Sequence, residues 1–241
     1  MQSDSKQPFE KQAAPSAPEE KDILKDLQRR GCPICNHMEE VIFDFLTKWQ
    51  YALTYDENAQ KEHATELGFC PTHTWQLATI ATPRGLSRGY PRLLEHIAEE
   101  LAKLNGASPD ISNGIAALLK KSESCLVCRI LQDTEETYMH RFASLLEHED
   151  ARVAYARSHG ACLRHLSLLV SFLTSQEIVR FLLSEKVKNL RDTAENMQRY
   201  VLKHEALERD LINRDEQYAY LRALVHAAGA SNVCALHIRH I

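Results

Sequence analysis

The chain has 241 residues, of which 44% are hydrophobic and 26% charged, enough for one large or two small domains with a hydrophobic core. Only 8 glycines and 8 prolines occur, fewer than in average proteins, which disfavours sandwiches, barrels and propellers and favours long helices. The net charge of −4 gives no general attraction to phosphate backbones, so we expect no nucleic-acid partner.

Neither a membrane span nor a secretion signal is expected. The densest apolar run, Leu166–Leu173, is far shorter than the roughly 20 residues of a membrane helix. Residues 1–20 lack the apolar core of a signal peptide. We therefore expect a cytoplasmic protein without a membrane partner.

The first half of the chain is predicted to contain a tail and one helical module. Residues 1–20 are polar and predict a disordered tail, and module 1 occupies residues 21–106. Apolar periodicity predicts helices over 36–50, 57–67 and 70–80, followed by one helix along the stripe Leu86–Leu104 that stops at Asn105 and Gly106. Residues 107–113 are predicted to be a linker.

The second half repeats this order as module 2, residues 114–207. Helices are predicted over 128–146 and 149–159, and a third begins near Cys162. Thr174 and Glu177 form a capping-box pattern that opens a long helix with an apolar stripe from Ile178 to Val201. Its basic stretch, 186–191, is interpreted as a solvated face. Residues 208–241 are predicted to hold a last helix, 214–228, and a tail.

Six of the seven cysteines form two copies of a CxxC motif followed by a CxxH motif, where x is any residue. The eight residues are Cys32, Cys35, Cys70 and His73 in module 1 and Cys125, Cys128, Cys162 and His165 in module 2. The gap between the two motifs is 34 residues in the first copy and 33 in the second. Glycine stands two residues before each CxxH. The pattern indicates an internal duplication.

Each module is predicted to hold one metal through its own three cysteines and one histidine. Two residues between ligands let both donors reach one ion at a helix N-terminus, where the partial positive charge favours thiolates. Cys₃His is a closed tetrahedral set suited to structural zinc, so we expect two zinc ions per chain. The alternative is two iron–sulfur clusters, since histidine can replace a cysteine ligand. No catalytic motif is evident, so we assign no catalytic residues. An enzymatic function is therefore disfavoured.

The C-terminal tail contains a possible third CxxH. Cys234 and His237 have this spacing, and His240 follows. No CxxC precedes them at the corresponding distance, so we interpret them as a tail cysteine and two solvated histidines.

The twin CPxC…GFCxxH arrangement resembles an uncharacterised bacterial family of helical proteins with duplicated metal-binding half-motifs. The resemblance covers residues 31–207, and the second copy departs from the first at Leu126 for Pro33 and Ala161 for Phe69. It implies metal binding and no particular activity. The sequence thus predicts an all-α protein of two similar metal-stapled modules with C-terminal helices. Its expected role is an interaction or scaffold module with a protein partner, and the alternative is electron transfer or redox sensing.

Overall fold

The computed structural model describes residues 18–107, 111–123, 125–205 and 209–229. Residues 1–17, most of the predicted tail, and Cys234, His237 and His240 lie outside these ranges. Within them the regular structure is entirely helical, which confirms the all-α prediction. No helix in the described part of the chain is both long and apolar enough to cross a membrane.

Thirteen α-helices follow one another in the described ranges. They are α1 Glu20–Gln28, α2 Pro33–Tyr55, α3 Glu57–Thr65, α4 Pro71–Ile80, α5 Pro83–Gly89, α6 Pro91–Ala107, α7 Ile111–Glu123, α8 Leu126–Leu145, α9 Glu149–Ala156, α10 Leu163–Ser171, α11 Gln176–Glu205, α12 Arg214–Gln217 and α13 Ala219–Ala228. A short 3₁₀ turn, Arg209–Leu211, precedes α12. The periodic stretches predicted as helices are largely helical, but α3 and α9 end at Thr65 and Ala156, before the predicted ends at 67 and 159, and the predicted helix 214–228 is divided into α12 and α13. The long helix α11 begins at Gln176, and the hydroxyl that accepts a hydrogen bond from its first turn belongs to Ser175 rather than to the predicted Thr174.

Two further predictions of boundaries differ from the structure. The helix expected along Leu86–Leu104 is divided at Pro91, because proline lacks the backbone N–H that would continue the hydrogen-bond ladder of the preceding helix. In the expected linker 107–113 the described residues are helical, since α6 continues through Asn105 and Gly106 to residue 107 and α7 begins at Ile111. A Cβ at Gly114 would collide with the Leu104 side chain, so the glycine permits close packing of α7 on α6.

The described residues divide into two compact units that do not coincide with the two sequence modules. Unit 1 comprises residues 40–133, and unit 2 comprises residues 18–39 together with 134–229. The division falls inside α2 and inside α8. The ranges 21–106 and 114–207 therefore describe the repeated sequence pattern, whereas each compact unit combines segments from both halves of the chain.

Aromatic side chains form the core of each unit. In unit 1 the ring of Trp49 lies 5.5 Å from that of Phe45 and 5.7 Å from that of Phe69, and these three side chains are buried. In unit 2 the ring of Phe142 lies 5.9 Å from that of Tyr138 and 6.0 Å from that of Tyr155. Burying such large rings removes much apolar surface from water, which stabilises both units.

Candidate metal centres

All four cysteine-containing half-motifs lie at the beginning of a helix. The first cysteine of each immediately precedes α2, α4, α8 or α10, and the second ligand lies in the first turn of that helix. Cys70 and Cys162 are N-cap residues. The amide of His165 donates a hydrogen bond to the Cys162 Sγ at 3.4 Å. Free amides and the positive end of the helix favour a thiolate here, as the two-residue spacing predicts.

The ligands assemble into two groups, each confined to one unit. Centre A consists of Cys32, Cys35, Cys162 and His165 in unit 2, and centre B consists of Cys70, His73, Cys125 and Cys128 in unit 1. Within each group all four donor atoms lie within 4.8 Å of one another. Seven of the eight residues are buried, and Cys128 is partly exposed. The eight predicted residues are thus brought together in two sets of four.

The predicted grouping by module is wrong. Each CxxC meets the CxxH of the other sequence half, so Cys35 joins Cys162 rather than Cys70. Loop-closure entropy does not oppose this exchange strongly, because lengthening the closed loop from 34 residues to roughly 130 costs only about 1 kcal/mol. Packing of the helices within each unit outweighs so small a difference.

In centre A the imidazole lies symmetrically among the sulfurs. The Nδ1 atom of His165 is 3.3 Å from the Sγ atoms of Cys32, Cys35 and Cys162. A tetrahedral zinc ion with bonds of about 2.0 Å to nitrogen and 2.3 Å to sulfur separates those donors by about 3.5 Å. The three equal distances therefore match the edges of a tetrahedron around one ion.

Centre B has the same arrangement with small differences. The Nδ1 atom of His73 is 3.3 Å from the sulfurs of Cys70 and Cys125 and 3.6 Å from that of Cys128. The Cys128 sulfur lies 3.3 Å from that of Cys125 and 3.9 Å from that of Cys70. These separations are too long for a disulfide bond and fit one shared ion.

Crowding of donors strongly perturbs the ionisation of centre B. Hydrogen bonding with Cys125 and Cys70, together with burial, raises the pKa of Cys128. Burial alone would lower the pKa of His73, but hydrogen bonds with the Cys125 and Cys70 sulfurs outweigh it and raise the pKa to about 9. Three sulfurs in contact, two of them in buried cysteines, cannot all carry negative charge unless a cation compensates them. The donor set is therefore suited to a divalent cation.

Glu135 on α8 orients the imidazole of centre A. Its Oε1 accepts a hydrogen bond from the Nε2 of His165 at 2.8 Å, and its two oxygens lie 2.6 and 2.9 Å from the guanidinium nitrogens of Arg164. Burial would raise the pKa of Glu135, but the bonds with His165 and Arg164 lower it to about 2. A proton held on Nε2 leaves Nδ1 free to bind a metal.

Centre B has no equivalent carboxylate among the described residues. The Nε2 atom of His73 is buried there without a hydrogen-bond partner. Glu135 stands seven residues after Cys128, and the residue seven positions after Cys35 is the buried Ile42. The carboxylate was not recognised in the sequence, where the only available signal was a glutamate set against an isoleucine in the two copies.

Two ionisable residues outside the metal centres are buried, and one of them, Lys186, departs from the sequence interpretation. Lys186 is buried rather than solvated, and its Nζ donates hydrogen bonds to the Ala161 carbonyl at 2.9 Å and to the Nδ1 of His226 at 2.7 Å. His63 is buried in unit 1 among the rings of Trp49 and Phe69. Neither belongs to a metal centre, and His63 serves as a packing residue.

Comparison with known proteins yields one family. A family model described as a family of unknown function, DUF6062, matches residues 21–220. No curated protein matches the chain, and no solved structure matches it.

Proposed function

The chain belongs to the family of unknown function DUF6062, and we propose that it is a zinc protein in which two structural ions stabilise a helical scaffold that binds a protein partner. The observation that carries the proposal is the pair of buried four-donor groups, each compact enough to surround one ion. Two zinc ions per chain follow. We also propose that the half-motifs arose by internal duplication. In the same proposal the protein is bacterial and is located in the cytoplasm.

The spacing of the donor atoms favours a single ion over an iron–sulfur cluster. In a cluster the protein ligands are distributed over two or four iron atoms, so the body of the cluster separates them. All donors of each centre instead lie within 4.8 Å of one another. Three thiolates and one imidazole are a usual set for tetrahedral structural zinc.

A structural role is supported by the closed coordination. Four protein donors fill a tetrahedral shell and leave no position for the water or substrate that a catalytic zinc ion requires. A zinc ion would supply folding free energy by joining two helix starts, because the site does not exist in the unfolded chain. In centre A it would join α2 to α10, and in centre B α4 to α8.

The negative charge of centre A is partly compensated by a nearby cation. Zinc with three thiolates carries a net charge of −1. Beside centre A, the buried ammonium of Lys186 is bound to the carbonyl of Ala161, the residue before Cys162. Such cations reduce the cost of burying a negative centre.

Exposed apolar side chains in unit 2 support binding of a protein partner. Leu202 on α11 is 64% exposed and Leu224 on α13 is 62% exposed. Large apolar side chains that are exposed on neighbouring helices are typical of interaction surfaces. We expect Leu202→Asp and Leu224→Asp to abolish cross-linking to the partner in cells, whereas Leu94→Asp, a change at an equally exposed leucine of unit 1, leaves it intact. Equal loss in all three variants would contradict this surface assignment.

Metal analysis of protein purified without oxygen tests the proposal. The expected result is two zinc ions per chain, no acid-labile sulfide and no colour, with visible bands of tetrahedral thiolate coordination after cobalt substitution. Iron with sulfide and broad visible absorption would establish the cluster alternative and make redox chemistry the function to examine. Protein with free thiols and no bound metal would refute both.

A further inference from the structure

A cleft of about 390 Å³ in unit 2 is lined by cationic side chains from separate segments of the chain. Arg30 comes from the segment between α1 and α2, Arg214 begins α12, and Arg222 lies on α13. The volume is within the range of small-molecule sites. None of the cleft residues is a ligand of centre A.

Two histidines also line this cleft. The backbone amide of Gly31 donates to the Nδ1 of His159 at 2.9 Å, and the ammonium of Lys186 donates to the Nδ1 of His226 at 2.7 Å. Because both Nδ1 atoms accept, each neutral imidazole carries its proton on Nε2. Neither imidazole contributes a carboxylate-like negative charge to the cleft that both rings line.

One carboxylate positions two of the arginines without neutralising the group. Asp215 Oδ1 lies 3.0 Å from a guanidinium nitrogen of Arg30 and 3.0 Å from one of Arg222. The side chain of Arg222 is only 12% exposed, so it is held in place. Three guanidinium groups against one carboxylate leave a net charge of +2, and Asp215 itself is not a lining residue of the cleft.

The remaining wall is apolar. Leu221 and Val225 line the cleft from α13, and the ring of Tyr218 adjoins them. Leu221 is 43% exposed, so its side chain is available to a ligand. We propose that this cleft binds a small organic anion, whose carboxylate or phosphate group contacts the arginines and whose apolar body packs against Leu221 and Val225.

Titration calorimetry on the full chain as purified, with its metals, tests the proposal. The probes are phenyl phosphate, benzoate, inorganic phosphate and uncharged phenol. We expect saturable one-to-one binding of phenyl phosphate or benzoate that weakens with added salt, and no binding of phenol. The stronger of the two aromatic anions identifies the preferred head group. Binding of phenol as tight as that of the anions, or of none of the probes, would overturn the proposal.

Variants separate the anion site from non-specific binding. Arg214→Gln and Arg222→Gln should each weaken binding of the aromatic anion about 10-fold or more, because a charged hydrogen bond is lost. Arg191→Gln, at an exposed arginine of α11 outside the cleft, is the matched control and should leave affinity unchanged. Leu221→Ala should weaken phenyl phosphate more than inorganic phosphate.

Because Arg222 also pairs with Asp215, the exposed Arg214 provides the variant with the smaller effect on folding. Unchanged affinity in Arg214→Gln would overturn the assignment. Such a failure is distinguishable from failure of the zinc proposal, since the metal content is measured separately.

Discussion

Pairs of cysteine substitutions distinguish the ligand groups of the structure from groups formed within each sequence half. Cys35→Ser combined with Cys162→Ser removes two ligands of centre A and leaves centre B complete. Cys35→Ser combined with Cys70→Ser removes one ligand from each centre. We therefore expect one metal ion to remain in the first double variant and none in the second.

The cost in stability follows from the loop that each centre closes. Centre A joins Cys35 to Cys162 across roughly 130 residues, and a cross-link of that size restricts the unfolded chain by about 5 kcal/mol. Centre B joins His73 to Cys125 across roughly 50 residues, for which the same relation yields about 4 kcal/mol. Total stabilities of single domains are about 5–15 kcal/mol, so losing both centres should unfold the chain.

Native mass spectrometry after dialysis against a weak chelator counts the ions in each variant. The single substitutions calibrate the assay, since each should release one ion. Cys234→Ser, at the one cysteine that belongs to neither copy of the CxxC and CxxH pattern, is the control and should retain two. The result that refutes the structural grouping is the reverse order, with one ion left in Cys35→Ser/Cys70→Ser and none in Cys35→Ser/Cys162→Ser.

Two further predictions concern single side chains. Glu135→Gln should weaken metal binding at centre A about 10- to 100-fold in chelator competition, because the charged partner of the ligating histidine is lost, and centre B is the internal control; equal weakening at both centres would contradict the assignment. Burial lowers the pKa of His63 to about 4, so the unfolded chain binds more protons than the folded chain between pH 6.5 and 4. His63→Phe should therefore remove about 2 kcal/mol of the stability that the protein loses between pH 7 and 5, measured by urea unfolding at both pH values. An unchanged loss would show that His63 becomes protonated without unfolding.

Helix positions and ligand identities were predictable because both depend on neighbouring residues. The apolar repeat that includes Phe45 and Trp49 places one face of α2 in the core, and both side chains are buried. The spacing within each CxxC and CxxH placed its two donors at a helix start. Pro91 was the sequence signal for the division between α5 and α6. Its missing backbone N–H interrupts the helix although the apolar stripe continues across it.

Environments that depend on distant residues were not predictable in this way. Lys186 occurs in a basic stretch that is typical of a solvated face, yet it is buried against Ala161 and His226. Glu135 is one of several acidic residues on its helix, and only its contact with His165 identifies its role. The arginines of the cleft, Arg30 and Arg222, are 192 positions apart in the sequence and share one carboxylate.

The residue types and their local spacing were sufficient to establish an all-helical chain with eight metal-binding residues in four half-motifs. They did not determine which half-motifs share an ion, and the predicted grouping by module was wrong, because closing a long loop costs only slightly more entropy than closing a short one. Helix packing determines the grouping, in which the CxxC of each half lies beside the CxxH of the other half. Local periodicity governs what a segment forms, whereas the free energy of burying its faces governs which segments it meets.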